Sequence, residues 1–101
     1  MEKDTVIGFI GAGNMAYALI NGLLNNGYDS KNIKVSDPNN GLLRKREAEL
    51  NITTFENNSS LVEVCDIIVF AVKPQVLSEV CLELREKIKP NHLFISIVAG
   101  I

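Results

Sequence analysis

Short apolar runs alternate along the chain with segments whose apolar residues recur every three or four positions. The runs are rich in β-branched residues, as buried strands are, whereas the recurring spacing is that of one face of an α-helix. The predicted strands cover residues 5–10, 32–36, 52–54, 67–72 and 93–98. The predicted helices cover residues 14–25, 42–50, 61–64 and 74–88. The predicted order is therefore β-α-β-α-β-α-β-α-β.

This alternation predicts the fold class. The run at residues 67–72 is apolar at every position, which is typical of a strand that is covered on both faces of a parallel sheet. Strict alternation with short connections implies right-handed crossovers and helices on both faces. We predict an α/β fold, a doubly wound parallel sheet of the Rossmann type with five strands, in one domain that comprises residues 1–101.

Composition agrees with one globular domain and excludes several classes of protein. The chain has 101 residues, 47% hydrophobic and 22% charged, with a formal net charge of −2. It is too apolar for a disordered chain, and it lacks the dense basic face that nucleic-acid binding requires. Its longest apolar run is far shorter than the ~20 residues of a membrane span. We predict a cytoplasmic protein without a secretory signal or a membrane or nucleic-acid partner.

The cysteines and the single histidine do not form a recognisable site. Cys65 and Cys81 form no C-x-x-C pair, and His92 has no second histidine beside it. We therefore predict neither a metal site nor a redox motif, and we expect both cysteines to be small buried hydrophobic residues. His92 is expected to lie at the surface or to cap a turn.

A glycine-rich turn follows the first predicted strand. Residues 11–16 (GAGNMA) match the G-x-G-x-x-G/A pattern of dinucleotide-binding folds. Gly11 would allow the tight turn, Gly13 would let the backbone approach a pyrophosphate, and Ala16 would keep the helix close to the sheet. The phosphates would meet free N–H groups at the positive end of a helix dipole. The alternative is a tight strand-to-helix turn that uses small residues for packing.

An acidic residue at the end of the second predicted strand bears on the choice of cofactor. Asp37 lies 24 residues after Gly13, where a carboxylate commonly binds the ribose 2′-hydroxyl of NAD and would repel the 2′-phosphate of NADP. The alternative is that Asp37 and Pro38 form a turn in which the aspartate side chain binds its own backbone. The first interpretation favours NAD.

The next predicted helix carries five charged side chains that we expect on a solvated face: Arg44, Lys45, Arg46, Glu47 and Glu49. The three cations could reach a 2′-phosphate, although solvation is the favoured interpretation.

A second candidate segment follows the fourth predicted strand, where residues 71–74 (AVKP) lead into a helix. Ligands of doubly wound sheets bind beyond the carboxyl ends of the strands, so this backbone is expected to line the nicotinamide-side ribose. Lys73 would add charge there or be an ordinary solvated lysine. Ala99 and Gly100 follow the fifth strand and are expected at the same rim.

Three motifs together resemble the pyrroline-5-carboxylate reductase family: residues 7–15 (IGFIGAGNM), 71–75 (AVKPQ) and 95–100 (ISIVAG). The resemblance covers essentially the whole chain. It implies an enzyme that reduces the C=N bond of 1-pyrroline-5-carboxylate to give L-proline, the last step of proline biosynthesis, with hydride from NADPH or NADH. The cofactor contacts that it implies are Ile10, Gly11, Ala12, Gly13, Asn14, Met15, Asp37, Asn39, Asn58, Ala71, Val72, Lys73, Pro74, Ile97, Val98 and Ala99.

Two departures from that family matter. Its members often have a neutral or basic residue where this chain has Asp37, which leaves NADH open beside NADPH. The family also has a second, all-helical domain that forms the homo-oligomer and holds the imino acid. We therefore expect this chain to be the front part of a longer protein, with no catalytic residue of its own and no activity alone.

Two alternatives remain open. One is a related 3-hydroxyacid dehydrogenase or imine reductase, and the other is a non-catalytic NAD(H)-sensing module.

Overall fold

The computed structural model describes residues 4–90 and 92–96. Its strands are β1 (Ile7–Ile10), β2 (Ile33–Ser36), β3 (Thr53–Phe55), β4 (Ile67–Phe70) and β5 (Leu93–Ser96). Its helices are α1 (Asn14–Asn25), α2 (Asn40–Leu50), α3 (Asn58–Val64) and α4 (Pro74–Leu84), and a short 3₁₀ turn, Ser30–Asn32, precedes β2.

The five strands form one parallel sheet in the order β3-β2-β1-β4-β5, which confirms the predicted doubly wound α/β fold. From β1 the chain proceeds outward to β2 and β3, and it then crosses back to place β4 on the other side of β1. The strand order therefore reverses between β1 and β4, where Ile10 lies opposite Phe70. A reversal of this kind opens a crevice at the carboxyl ends of the two strands, and ligands bind in that crevice.

The helices cover the two faces of the sheet in pairs. On one face, α1 and α2 bury apolar side chains against Phe9 of β1 and Val35 of β2. On the other face, α3 and α4 pack against Ile68 and Phe70 of β4. Side chains of a strand alternate between the two faces, so each central strand supplies both cores. Burial of one such large side chain contributes about 1.5–3 kcal/mol, and the two cores hold the strand ends in place.

Helix ends differ from the predicted ones for local reasons. The helix α2 begins at Asn40 rather than at residue 42, because the Asn39 side chain caps it by accepting a hydrogen bond from the Leu42 N–H. Asn57, rather than residues 58–60, caps α3. The helix α4 ends at Leu84 instead of continuing to residue 88, and its last turn is tightened by a bond from the Arg85 N–H to the Leu82 carbonyl. The bounds of β1 to β4 differ from those predicted by one or two residues.

The cysteines and the histidine give one correction. Cys65 is buried between β1 and α3, as predicted, and burial raises its pKa to about 12. Cys81 is exposed, so the prediction that it is buried was wrong. The helix α4 meets the core through Val80 and Leu84, and Cys81 lies at the outer edge of that face. His92 closes a turn, as predicted, since its Nδ1 accepts a hydrogen bond from the Lys89 N–H.

Candidate dinucleotide-binding site

A cleft of roughly 230 Å³ lies where the chain leaves β1 and β4, at the point of strand-order reversal. The residues that line it come from both predicted motifs: Gly13, Asn14, Met15, Ala71, Val72, Lys73 and Pro74. The fold therefore brings the glycine-rich turn and the segment after β4 together, although some sixty residues separate them in the sequence. A larger apolar groove beside α1, lined by residues such as Phe9 and Leu19, lies on the face of the sheet rather than at its carboxyl edge.

Gly11 is required by the fold. Its φ is +107°, a conformation that L side chains rarely adopt, and its N–H donates a 2.8 Å hydrogen bond to the Ser36 carbonyl oxygen of β2. A Cβ on Gly11 would collide with the carbonyl oxygen of Ala71 and lie 3.0 Å from its carbonyl carbon. The turn thus passes against the backbone that leaves β4, and residues of both segments line the cleft.

Gly13 is not required by the fold. Its φ of −73° and ψ of −168° suit any residue, and a Cβ built on it would have no other heavy atom within 4 Å. Packing and backbone conformation therefore give no reason for a glycine here. Gly13 lines the cleft, and the absence of a side chain leaves its backbone open to close approach by a ligand.

The N-terminus of α1 offers hydrogen-bond donors to this cleft. The first N–H groups of a helix have no partner within the helix, and no side chain caps α1 among the described residues. The helices α2 and α3 differ, because the side chains of Asn39 and Asn57 cap them. Free donors and the positive end of the dipole of this 12-residue helix together favour a phosphate anion. The helix α4 also begins at the cleft without a side-chain cap, but Pro74 at its start has no N–H to offer.

Asp37 lies at the end of β2, beside the glycine-rich turn, and its carboxylate holds two backbone groups. Its Oδ1 accepts a 2.9 Å hydrogen bond from the Asn39 N–H, which is the turn that the sequence allows as an alternative. Its Oδ2 accepts a 2.9 Å bond from the Ala12 N–H. The carboxylate is half-buried, and each oxygen keeps a further lone pair. Asp37 can therefore hold the turn and also accept a hydrogen bond from a ribose hydroxyl.

Arg46 is buried, so the expectation of a solvated side chain that could reach a 2′-phosphate was wrong for this residue. Its side chain is only 5% exposed and forms an ion pair of 2.8 Å with Glu49. Its Nε donates a 2.8 Å hydrogen bond to the Ala12 carbonyl oxygen, and its guanidinium lies 4.7 Å from the centre of the Tyr17 ring. One sequence signal points to this burial. Arg46 follows Leu43 by three positions and precedes Leu50 by four, so it lies on the face of α2 that enters the core. Arg44 and Lys45 are exposed, as predicted.

The remaining candidate residues lie around the site in different ways. Ile10 is buried at the end of β1, and Asn39 is exposed and caps α2. Asn58 is engaged at both ends of its amide, since Oδ1 accepts from the buried Ser36 hydroxyl at 2.6 Å and Nδ2 donates to Glu83 at 2.8 Å. The predicted positions Ile97, Val98 and Ala99 lie outside the described residues.

A doubly wound parallel sheet with a glycine-rich turn and an uncapped helix at its switch point is the architecture of a dinucleotide-binding domain. The model of one protein family, described as NADP oxidoreductase coenzyme F420-dependent, matches residues 6–100. The chain belongs to that family. Within residues 4–90 and 92–96, no helix is long and apolar enough to cross a membrane.

Individual relatives carry a more specific name. The chain is 43% identical, over 95 residues, to the pyrroline-5-carboxylate reductase of Pseudomonas aeruginosa, a match that covers 94% of this chain and 35% of the relative. A solved pyrroline-5-carboxylate reductase from Coxiella burnetii superposes with a TM-score of 0.90 at 34% identity, covering 96% of this chain and 36% of that one. The Plasmodium falciparum pyrroline carboxylate reductase, solved with NADP bound, gives a TM-score of 0.80 at 28% identity, covering 100% of this chain and 36% of that one. These matches confirm the resemblance that the three motifs indicate. The chain spans about a third of the length of the relatives that it matches.

Proposed function

We propose that this chain is the NAD(P)H-binding domain of a pyrroline-5-carboxylate reductase. The observation that carries the proposal is the pairing of open space at Gly13 with the uncapped N-terminus of α1. A small anion would need only the helix donors, whereas a missing side chain that the fold does not demand fits the pyrophosphate of a dinucleotide. The names of the relatives supply the reaction.

In this proposal the backbone N–H groups of Gly13, Asn14 and Met15 bind the pyrophosphate. Residues 71–74 line the ribose next to the nicotinamide, since they form the opposite wall of the cleft. Ile10, Ala12, Asn39 and Asn58 form the surroundings of the adenosine end. The predicted positions Ile97, Val98 and Ala99 are proposed to complete the rim after β5.

The bound cofactor would supply hydride to the carbon of the substrate C=N bond, and a proton would reach the nitrogen to give L-proline. The role of this chain is to orient the nicotinamide, and it supplies no proposed catalytic residue. The chain spans about a third of the relatives' length. We propose that the groups that bind the imino acid, and those that form a homo-oligomer, belong to a segment that corresponds to the other two thirds of these relatives. A cytoplasmic location is part of the same proposal.

We further propose that NADH binds at least as well as NADPH. The Asp37 carboxylate lies at the end of β2, where the adenosine ribose of a dinucleotide is expected, and it would repel a 2′-phosphate. Of the three cations on α2 that could attract such a phosphate, Arg46 is buried and donates to the Ala12 carbonyl, Arg44 pairs with Glu47 at 3.1 Å, and Lys45 is exposed. The Asp37 carboxylate, fixed by its bond to the Ala12 N–H, is the charge best placed to meet a 2′-phosphate.

The test is NADH and NADPH oxidation by the intact protein, measured at 340 nm (a wavelength at which reduced nicotinamides absorb) with 1-pyrroline-5-carboxylate as the substrate. Turnover that yields proline would support the proposal. Binding of NADH without turnover of any imine would favour the sensing module. Turnover of a 3-hydroxyacid in place of the imine would favour the related dehydrogenase.

A further inference from the structure

We infer that Arg46 is a positioning residue for the cofactor, acting through the peptide bond between Ala12 and Gly13. This inference rests on the proposed binding of a dinucleotide at Gly13. The Asp37 carboxylate accepts a hydrogen bond from the Ala12 N–H, and the Arg46 guanidinium donates one to the Ala12 carbonyl oxygen. Two side chains, 25 and 34 residues away in the sequence, thus fix both polar groups of one loop residue.

Arg46 is itself held in one orientation. Its Nη1 pairs with Glu49 at 2.8 Å, and its guanidinium lies over the Tyr17 ring of α1. The side chain is almost fully buried, and the carboxylate and the ring compensate its charge. A guanidinium packed in this way delivers its Nε–H to the Ala12 oxygen in a fixed direction.

The consequence for the cleft follows from the planarity of the peptide unit. The Ala12 carbonyl and the Gly13 N–H belong to one trans peptide, so they point in opposite directions. Holding the carbonyl toward α2 therefore directs the Gly13 N–H away from α2, and Gly13 lines the cleft. A cationic donor on the carbonyl also polarises the peptide, which makes the N–H at its other end a stronger donor. Arg46 thus orients and strengthens a donor to the pyrophosphate without touching the cofactor.

A purely structural role predicts a different result. If Arg46 served only to hold α2 against α1, its loss would lower the free energy of unfolding and leave the KM for NADH unchanged in the folded protein. The proposed role predicts a selective change in cofactor binding. Because the effect passes through the pyrophosphate donor, it should weaken ligands that contain a pyrophosphate more than ligands that contain only the nucleoside.

The experiment compares Arg46→Met, Arg46→Lys and the native intact protein, with Arg85→Met as a matched arginine-to-methionine change at an exposed position beyond α4. We expect Arg46→Met to raise the KM for NADH by about tenfold, the typical weight of one charge-assisted hydrogen bond such as that from the Gly13 N–H to the pyrophosphate, with kcat and the KM of the imine nearly unchanged. Arg46→Lys should restore part of the loss, because its ammonium can still donate to the Ala12 oxygen. Inhibition by ADP-ribose should weaken in Arg46→Met, and inhibition by adenosine should not.

Circular dichroism would establish that each variant is folded. A folded Arg46→Met protein with the native KM for NADH would overturn the inference, and so would equal weakening of ADP-ribose and adenosine. If Arg46→Met does not fold, Arg46→Gln takes its place, because a neutral amide lacks the charge of the guanidinium. A native KM for NADH in the folded glutamine variant would overturn the inference, and a raised one would support it. Failure of the native protein to bind NADH or NADPH would refute the proposed function itself, which is a separate outcome.

Discussion

Gly11 lies so close to Ala71 that no side chain fits between them, whereas Gly13, two residues further on, faces open space. The two glycines of one motif therefore have different roles. The first lets the glycine-rich turn cross the backbone that leaves β4, and the second keeps the cleft open. This separation makes the motif testable, because one glycine bears on folding and the other on ligand binding.

Replacing Gly11 with alanine should destabilise the fold. The new methyl group would meet the Ala71 backbone, and alanine would have to adopt a φ of +107°. We expect a loss of about 2–4 kcal/mol in the free energy of unfolding, within the range of strained or overpacked substitutions. Urea unfolding followed by circular dichroism measures it.

The matched control is Gly13→Ala, the same change two residues away. At φ −73° and with no neighbour within 4 Å of the new Cβ, alanine should change the free energy of unfolding by less than about 1 kcal/mol, because the lower entropy of the unfolded chain opposes the weaker preference of alanine for the N-cap position of α1. Equal destabilisation by the two changes would contradict the assignment of different roles to the two glycines.

Replacing Asp37 with serine should shift cofactor preference toward NADPH. Removal of the carboxylate removes its repulsion of a 2′-phosphate, and we expect the difference in binding free energy between the two cofactors to shift toward NADPH by about 1–2 kcal/mol. Affinity for both cofactors should also fall, because the Ala12 N–H loses its partner. The ratio of dissociation constants, measured by fluorescence titration, isolates the charge effect.

Asp37→Asn separates the two roles, since the amide oxygen can still accept from Ala12 while the charge is gone. It should show the same shift in ratio with a smaller loss of affinity. A native protein that prefers NADPH a hundredfold would show that Asp37 only holds the turn and the Ala12 N–H.

The two thiols should differ in reactivity and in their effect on stability. Exposed Cys81 should react with a thiol reagent at pH 8, whereas Cys65 should react only on unfolding. Burial raises the pKa of Cys65 from 9.0 to about 12, so the unfolded chain releases this proton at a lower pH than the folded one. The contribution to stability is therefore complete below pH 9 and is lost as the pH rises from 9 to 12.

Mass spectrometry of the labelled protein identifies the modified cysteine, and Cys81→Ser is the control that leaves only the buried thiol. Rapid labelling of Cys65 in the folded protein would contradict its placement between β1 and α3. Urea unfolding of the Cys81→Ser protein at several pH values above 9 would test the predicted loss of stability.

The fold and the glycine-rich turn were predictable because their determinants are local in the sequence. Apolar runs and helical spacing mark each element, and alternation alone restricts the topology to a few arrangements. The glycines and alanine of the motif at residues 11–16 act through backbone conformation and small size. The geometry of the turn therefore hardly depends on distant side chains.

What the sequence did not reveal depends on tertiary packing. Arg46 is a charged residue and is expected on the solvated face of α2. Because α2 packs close to α1, the Arg46 side chain is instead buried against Tyr17. Cys81 precedes the buried Leu84 by three positions, which is a helical spacing, yet it lies at the outer edge of the packed face and is exposed. The sequence predicts Asp37 as a ribose ligand or a turn residue. Its hydrogen bond to the Ala12 N–H depends on how close β2 lies to the glycine-rich turn, which no local pattern contains.

Titration of the Gly13→Val protein with NADH and NADPH tests whether the cleft between α1 and residues 71–74 binds a dinucleotide. Valine would direct its methyl groups into the space that Gly13 leaves open, without a clash in the fold. We expect the variant to have the native circular dichroism spectrum and no detectable binding of either cofactor, beside a native protein that binds both. Unchanged affinity in a folded Gly13→Val protein would contradict it.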